Sequence, residues 1–435
     1  MTRHITLSMQ ADDVLQQTHR RHEVIDALRG FALIGVCLVN LSSLTLYEFL
    51  DTTAKEALAT SGFDAIAAPV VAWMVNVKFI TIFSLLFGLG FALQLQRASS
   101  TGSAGRWTYL KRIFVLIVIG GIHSWFVWWG DILLTYAVIG LLMLPFSRVS
   151  DRALLIAGIA IALLPPVIAP YVRPLLTGLF DQPALYARSL ESFSSANWGD
   201  ALSANIAMAE WARVSNWALV CFVLGRFLLG YWAGRRGLHL TTVENYPVLR
   251  RIFFGALGLG LAGTALSYFQ PAMLAAWPVM DSGTPRILIR MLLRIGPLAI
   301  GIAYAAGFVL LFYRAAWARR LRVLAPFGRM ALTNYVTQSL MGIALFYGVG
   351  LGIGPRFGMI GVLVACASMV ALQMWWSRAW LARFTHGPLE WVWRWFTQGS
   401  RPRFRIGEII VGNGSAFGNN HPARSEKHGN RSSSK

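Results

Sequence analysis

The side chains able to do chemistry in this sequence lie inside apolar runs. In "HEVIDALRGFALIGVCLVNLSSL" Asp26 and Arg29 open the run, and Asn40 and Ser43 stand near its far end. At 100° per residue these four share one stripe of a helix, Asp26 and Arg29 can pair at spacing three, and Asn40 lies about 16 Å beyond Arg29. Ionisable groups in a span face the bundle interior and carry function by default; the alternatives are a topology anchor for the pair and interhelical glue for Asn40. In "KRIFVLIVIGGIHSWFVWWGD" His123 follows Lys111 and Arg112, and Asp131 comes just beyond Gly130. An imidazole beside a carboxylate suits a general base or a proton relay. The plainer readings are Asp131 as a helix cap and His123 bonded to a neighbouring carbonyl. Arg226 lies mid-run in "VCFVLGRFLLGYW", where a cation needs a partner or water, as an ion pair or an anion site. Arg286, Arg290 and Arg294 recur at spacing four and suggest an anion-binding face. "FGRMALTNYVTQSL" gathers Arg329, Thr333, Asn334, Tyr335, Thr337, Gln338 and Ser339, whose polar groups need internal partners because lipid offers none.

The elements that must position these groups are membrane helices. Of 435 residues, 56% are hydrophobic and 13% charged, where a soluble domain carries about 25% charged. Mean hydropathy is +0.54. Runs of the ~20 apolar residues a span requires fall near 28–47, 76–96, 112–129, 131–147, 152–170, 214–234, 250–270, 290–313, 327–349 and 358–378. The expected fold is therefore all-α, a polytopic bundle of about ten transmembrane helices, and not a membrane β-barrel, whose segments alternate. The polar stretch before the first run, with no small-residue cleavage pattern after it, reads as preceding a retained span.

The net charge of +20 is distributed one-sidedly. With both termini placed inside, most of the 39 Lys and Arg fall in inner segments, while the outer segments come out near neutral. The basic balance thus reports cytoplasmic termini and contact with anionic lipid rather than nucleic acid. Residues 1–24 form a cytoplasmic N-terminal segment, 25–397 the transmembrane domain, and 398–435, rich in Gly, Asn, Ser and basic residues, a disordered tail. The outer loop at about 171–213 has amphipathic helical character and is long enough to be functional, with a structural cap as the alternative. In "GPLEWVWRWF" Pro388 starts an interfacial helix and Glu390 precedes Arg394 by four. Cys37, Cys221 and Cys366 lie far apart within apolar runs and make neither a metal pattern nor a disulfide framework.

The blocks "IDALRGFALIGVCLVN", "KFITIFSLLFGLGFALQLQ", "HSWFVWWGDILLTYAVIGLL", "FGRMALTNYVTQSL" and "GPLEWVWR" resemble, in order, the YeiB-like bacterial inner-membrane family, whose members carry a domain of unknown function. The resemblance runs from about residue 20 to 397 and implies kinship with the transmembrane acyltransferases. Those are bundles of roughly ten helices that pass acyl groups from cytoplasmic donors to outward substrates. Asp26, Arg29 and Gly30 match their first-helix pattern. Their catalytic histidine falls on Asn40, which cannot serve as a base, and the next histidine is His123.

Three functions stay open on these residues. The first is an acyltransferase-like enzyme with acyl-CoA as donor substrate and no bound cofactor. In it Lys111, Arg112 and Arg329 meet phosphates, Asn40 polarises the thioester, His123 takes the proton, and a small molecule, lipid or glycan is the acceptor. The second is a transporter of a small anionic or amphipathic solute, with Arg226 and Arg286–Arg294 along the path. The third is a non-catalytic assembly partner. The absence of nucleotide, metal and serine-nucleophile motifs argues against pumps and hydrolases.

Overall fold

A computed structural model describes the backbone of residues 2–99, 103–398, 402, 404 and 405, and the side chains of 23–96, 105–397, 402, 404 and 405. Among these residues every regular element is helical. The long ones are α1 (Thr2–Leu44), α4 (Lys78–Ser99), α5 (Ser103–Ile122), α11 (Ala218–Arg235), α12 (Asn245–Ala276), α13 (Gly283–Leu311) and α17 (Gly358–Leu381). Between them stand α2 (Thr52–Glu56), α3 (Ser61–Met74), α6 (Leu133–Leu142), α7 (Asp151–Leu163), α8 (Pro165–Leu176), α9 (Gln182–Ser194) and α10 (Trp198–Ser215). Three short helices, α14 (Ala315–Leu321), α15 (Ala325–Arg329) and α16 (Ala331–Phe346), precede α17, and α18 (Pro388–Gln398) follows it.

Among the described residues seven segments are long and apolar enough to cross a membrane, or eight if α7 and α8, bent by 41° at Leu164, count as one. The protein is a multi-pass membrane protein. Two of the ten expected spans have shorter helices. Proline at Pro145 converts the end of the fourth to a 3₁₀ turn at Leu144–Arg148, leaving ten residues in α6. The ninth breaks at Met330 into α15 and the 16-residue α16. The 171–213 segment is helical, as its amphipathic pattern suggests, through the end of α8, α9 and α10.

The helices approach through glycines. A Cβ on Gly30 or on Gly328 would collide with the backbone of the other's helix, so α1 and α15 touch main chain to main chain. Gly88 and Gly230 do the same reciprocally for α4 and α11. Without a hydrophobic drive between spans, such close packing is what holds them. This crossing sets two faces. One, here the terminal face, carries the Glu23 end of α1, where Arg322 pairs with Glu23 at 3.1 Å. The far face carries the Leu44 end of α1 and the start of α4.

The polar segment expected over 1–24 continues into the α1 backbone, its first 22 side chains lying outside the described residues. Most of the 398–435 tail also lies outside them. Of the part described, Phe404 O accepts from Thr385 N at 3.0 Å and Pro402 O from Trp391 Nε1 at 2.9 Å, so Pro402 and Phe404 lie against the bundle.

Candidate functional site

Helix α5 ends in one π-turn, His123–Val127, in which Trp128 N donates to His123 O at 2.7 Å. Such a turn widens the helix and re-aims the side chain at its start, and it recurs at functional sites. Here it presents His123, 2% exposed, to two partners. Nδ1 lies 2.8 Å from Asp131 Oδ1, and Nε2 lies 3.0 Å from Ser339 Oγ on α16. Asp131 Oδ2 also accepts from Leu134 N at 2.8 Å, capping α6. Both sequence readings of Asp131, cap and histidine partner, therefore hold at once in the geometry.

The surroundings fix this row. Tyr335, tilted by 47° against the imidazole at 5.3 Å between centroids, accepts from Ile132 N at 3.2 Å. From α10, Asn205 Nδ2 donates to the carbonyls of Ser124 at 3.1 Å and Trp125 at 2.9 Å, groups the π-turn leaves without helical partners. Arg213 donates to Ser124 Oγ and to Ala209 O, and lies over the Trp125 ring, 4.4 Å from its centre. The long loop is thus part of the site's wall. Ser339 stands out in the sequence as a polar group needing a partner, but nothing local announces its pairing with His123, 216 residues away, or the roles of Asn205 and Arg213.

A cavity of about 490 Å³ opens at the far face beside this row. Asn40, Asn76, Asp131, Tyr136, Asn216 and Arg294 are among its lining. The Asp131 carboxylate is itself fully covered, so the residue presents its backbone to the cavity and its carboxylate to His123. The geometry thus unites Asn40, Asp131 and Arg294 around one space, with His123 directly behind it. Asn40 and Arg294 have no hydrogen-bond partner in the described structure.

Other expected site residues sit elsewhere. Asp26 and Arg29 pair at 2.7 Å near the terminal face. Asn334 and Gln338 join a closed amide network. Asn334 Nδ2 donates to Phe327 O and Ser377 Oγ, Gln338 Nε2 to Gln373 Oε1, and Gln373 Nε2 to Asn334 O and Thr337 Oγ1, all between 2.8 and 3.0 Å. This ties α16 to α17 through the amide nitrogens, leaves Asn334 Oδ1 and Gln338 Oε1 buried without a hydrogen-bond partner, and borders neither cavity. Arg226, 2% exposed, donates from Nε to Thr81 Oγ1 at 2.7 Å and from Nη1 to Phe222 O at 2.9 Å. Of the α13 arginines, Arg286 is held by Asp281 at 2.9 and 3.0 Å, Arg290 is near enough to help depress the Asp281 carboxyl, and Arg294 reaches the cavity.

At the terminal face, Arg112 stacks over the Trp393 ring at 4.5 Å while Trp393 Nε1 donates to Arg112 O at 2.9 Å. Arg329 donates to Thr385 O at 3.3 Å, and Lys111 lies 5.8 Å from the Trp107 ring centre. These basic groups adjoin α18. Glu390 does not serve chiefly as a helix-surface partner: it accepts from Leu332 N (2.7 Å), Thr333 N (3.0 Å) and Thr333 Oγ1 (2.6 Å), capping α16 from another helix. Burial raises its carboxyl above the usual range against those bonds. Burial, aided by Arg394 and Arg329, pushes His386 down to about 4. Among the described residues no cluster of His, Cys, Asp or Glu could hold a metal.

Fold and site define a multi-pass helical membrane protein with a buried acid–base row next to a polar cavity. A family profile described as "Protein of unknown function (DUF418)" matches residues 233–400. The chain is 30% identical over 382 residues to an uncharacterized 39.9 kDa protein in the amylase 3′ region of Bacillus acidopullulyticus, covering 86% of this chain and 92% of that one. It is 29% identical over 403 residues to the uncharacterized protein YxaH of Bacillus subtilis (strain 168), covering 87% and 94%. With the uncharacterized protein YeiB of Escherichia coli (strain K12) it shares 27% over 402 residues, covering 87% and 96%. The chain belongs to this YeiB-like family of unknown function. No solved structure matches it.

Proposed function

We infer that the protein is an acyltransferase-like enzyme of the bacterial inner membrane. It takes an acyl group from a cytoplasmic acyl-CoA at the terminal face and delivers it to a hydroxyl-bearing acceptor in the far-face cavity. The observation that carries this reading is the Ser339–His123–Asp131 row, with contacts of 3.0 and 2.8 Å. A carboxylate on Nδ1 fixes the imidazole's tautomer and leaves Nε2 as a base toward a hydroxyl.

In the proposed step an acceptor hydroxyl takes the place of Ser339 Oγ at Nε2, through yielding of the π-turn wall. Its oxygen bonds to the acyl carbonyl carbon as its proton passes to Nε2. The carbon–sulfur bond then breaks, and the thiolate of CoA leaves and regains that proton. Asn40, facing the cavity with its amide uncommitted, donates to the carbonyl oxygen as charge develops on it. Lys111, Arg112 and Arg329 receive the phosphates of CoA; the one-sided basic charge of the terminal face supports its cytoplasmic placement.

The test is binding and transfer by purified protein in vesicles. The expected result is saturable acyl-CoA binding, weakened about tenfold by Arg112→Ala, and label appearing on an acceptor. Absence of binding together with proton-linked uptake of an anionic solute would replace this reading by transport.

A further inference from the structure

A second cavity, about 460 Å³, lies toward the terminal face. Apart from His239 its lining is apolar, with Leu28, Leu86, Leu89, Leu229, Leu259 and Leu298 among the side chains. The two cavities are lined by the same helices on either side of a wall. On α4, Ile80 lines the polar cavity and Ile82 the apolar one; on α13, Arg294 lines the first and Ile295 the second; on α11, Phe222 lines the first and Leu229 the second. Thr81 and Arg226, bonded to each other at 2.7 Å, stand in that wall.

Among the described residues no carboxylate pairs with the charge at this junction. Arg226 and Arg294 lie close enough to repel each other, and Arg173 adds to the repulsion at Arg294. Neither Arg226 nor Arg294 has a carboxylate within salt-bridge distance among the described residues. Two α13 turns outward, by contrast, Arg286 has Asp281. A cation that lines a cavity with no carboxylate beside it favours an anion there, and a planar fork suits a phosphate.

We propose that the wall between the cavities is the seat of a phosphate-bearing lipid. Its phosphate sits in the far-face cavity on Arg294, with Arg226 adding charge from behind, and its hydrocarbon chain occupies the apolar cavity. The occupant is a membrane lipid rather than a free anion because the apolar space adjoins the cationic one and each added methylene buried there strengthens binding. The site stands on its own geometry; only the further statement that this lipid is the acyl acceptor rests on the acyl-transfer reading.

The experiment is equilibrium binding of dodecyl phosphate, dodecanol and inorganic phosphate to the purified full chain in detergent, with size exclusion as the check on folding. Dodecyl phosphate should bind about tenfold or more tighter than either of the others. Arg294→Gln should remove that advantage over dodecanol, whereas Arg294→Lys should keep most of it and Arg290→Gln should change it less than about twofold. Leu298→Trp, which fills the apolar cavity, should weaken dodecyl phosphate and leave inorganic phosphate unchanged. Equal binding of dodecyl phosphate and dodecanol, or no response to Arg294→Gln, overturns the phosphate seat. Inorganic phosphate binding as tightly as dodecyl phosphate, unaffected by Leu298→Trp, overturns the lipid and leaves a solute-anion site. These readouts need no turnover: loss of acyl transfer with intact binding would remove the acyl-transfer reading alone.

Discussion

Helix α16 presents two kinds of buried polar side chain within six residues. The amide nitrogens of Asn334 and Gln338 are taken up by Gln373, Ser377 and a carbonyl, and neither cavity reaches them. Ser339, the very next residue, turns to His123, whose carboxylate partner backs onto a polar cavity. Residue type and depth are alike in the two sets, and both avoid lipid for the same reason. What separates them is what lies beside them: a neighbouring helix in one case, solvent-sized space in the other. Polar content in a span therefore marks helix adhesion as readily as chemistry, and adjoining space tells them apart.

The largest contrast is expected from Asp131→Asn. The amide still accepts from Leu134 N, so α6 keeps its cap. His123 loses the carboxylate that fixes its tautomer, and acyl transfer should fall about 10²–10⁴-fold in a stopped assay while the protein remains folded. Gln373→Leu should do the reverse. It strands the Gln338 side-chain amide, lowering stability in detergent by about 1–3 kcal/mol, with transfer per folded molecule nearly unchanged. Denaturation curves beside rate measurements on both variants check the pair; a Gln373→Leu enzyme that is stable but inactive would join the network to the site. Ser339→Ala should cost less than about tenfold in rate, since the acceptor hydroxyl takes its place at Nε2. A larger loss would make Ser339 a covalent carrier.

The smallest effect concerns pH. Folding holds His386 at about 4 against an ordinary value near 6.5. The unfolded chain thus binds the extra proton first as pH falls. The stability tied to a neutral His386 is present above about 6.5 and lost as pH drops toward about 4. For this half-buried ring, after solvent screening, that amounts to about 1 kcal/mol. Melting curves of His386→Gln against the parent should converge at low pH and separate above neutrality.

Much of the architecture could be read from residue order. Span length and hydropathy locate α1, α4, α5, α12, α13 and α17, because each buries or exposes apolar surface over its full length. The shortfall came where a helix that packs inside others need not reach ~20 residues: α6 stops after ten and α16 after 16. For the site, the short-range partnerships were legible. Asp26–Arg29 and His123–Asp131 lie three and eight residues apart and do pair. The long-range ones were not, since helix packing rather than spacing brings Ser339 to His123 and Glu390 to the start of α16. Glu390, four residues before Arg394, suggested an ordinary surface pair until its three bonds to α16 were seen.

The central claim is that His123 is the base of an acyl transfer crossing the membrane. Its most direct measurement uses vesicles with the terminal face outward, labelled acyl-CoA supplied outside, and product counted after a single turnover. The parent chain should pass label to acceptor inside, and His123→Ala, equally folded, should bind acyl-CoA normally yet transfer about 10²–10⁴-fold more slowly. Equal transfer by His123→Ala and parent would contradict the account.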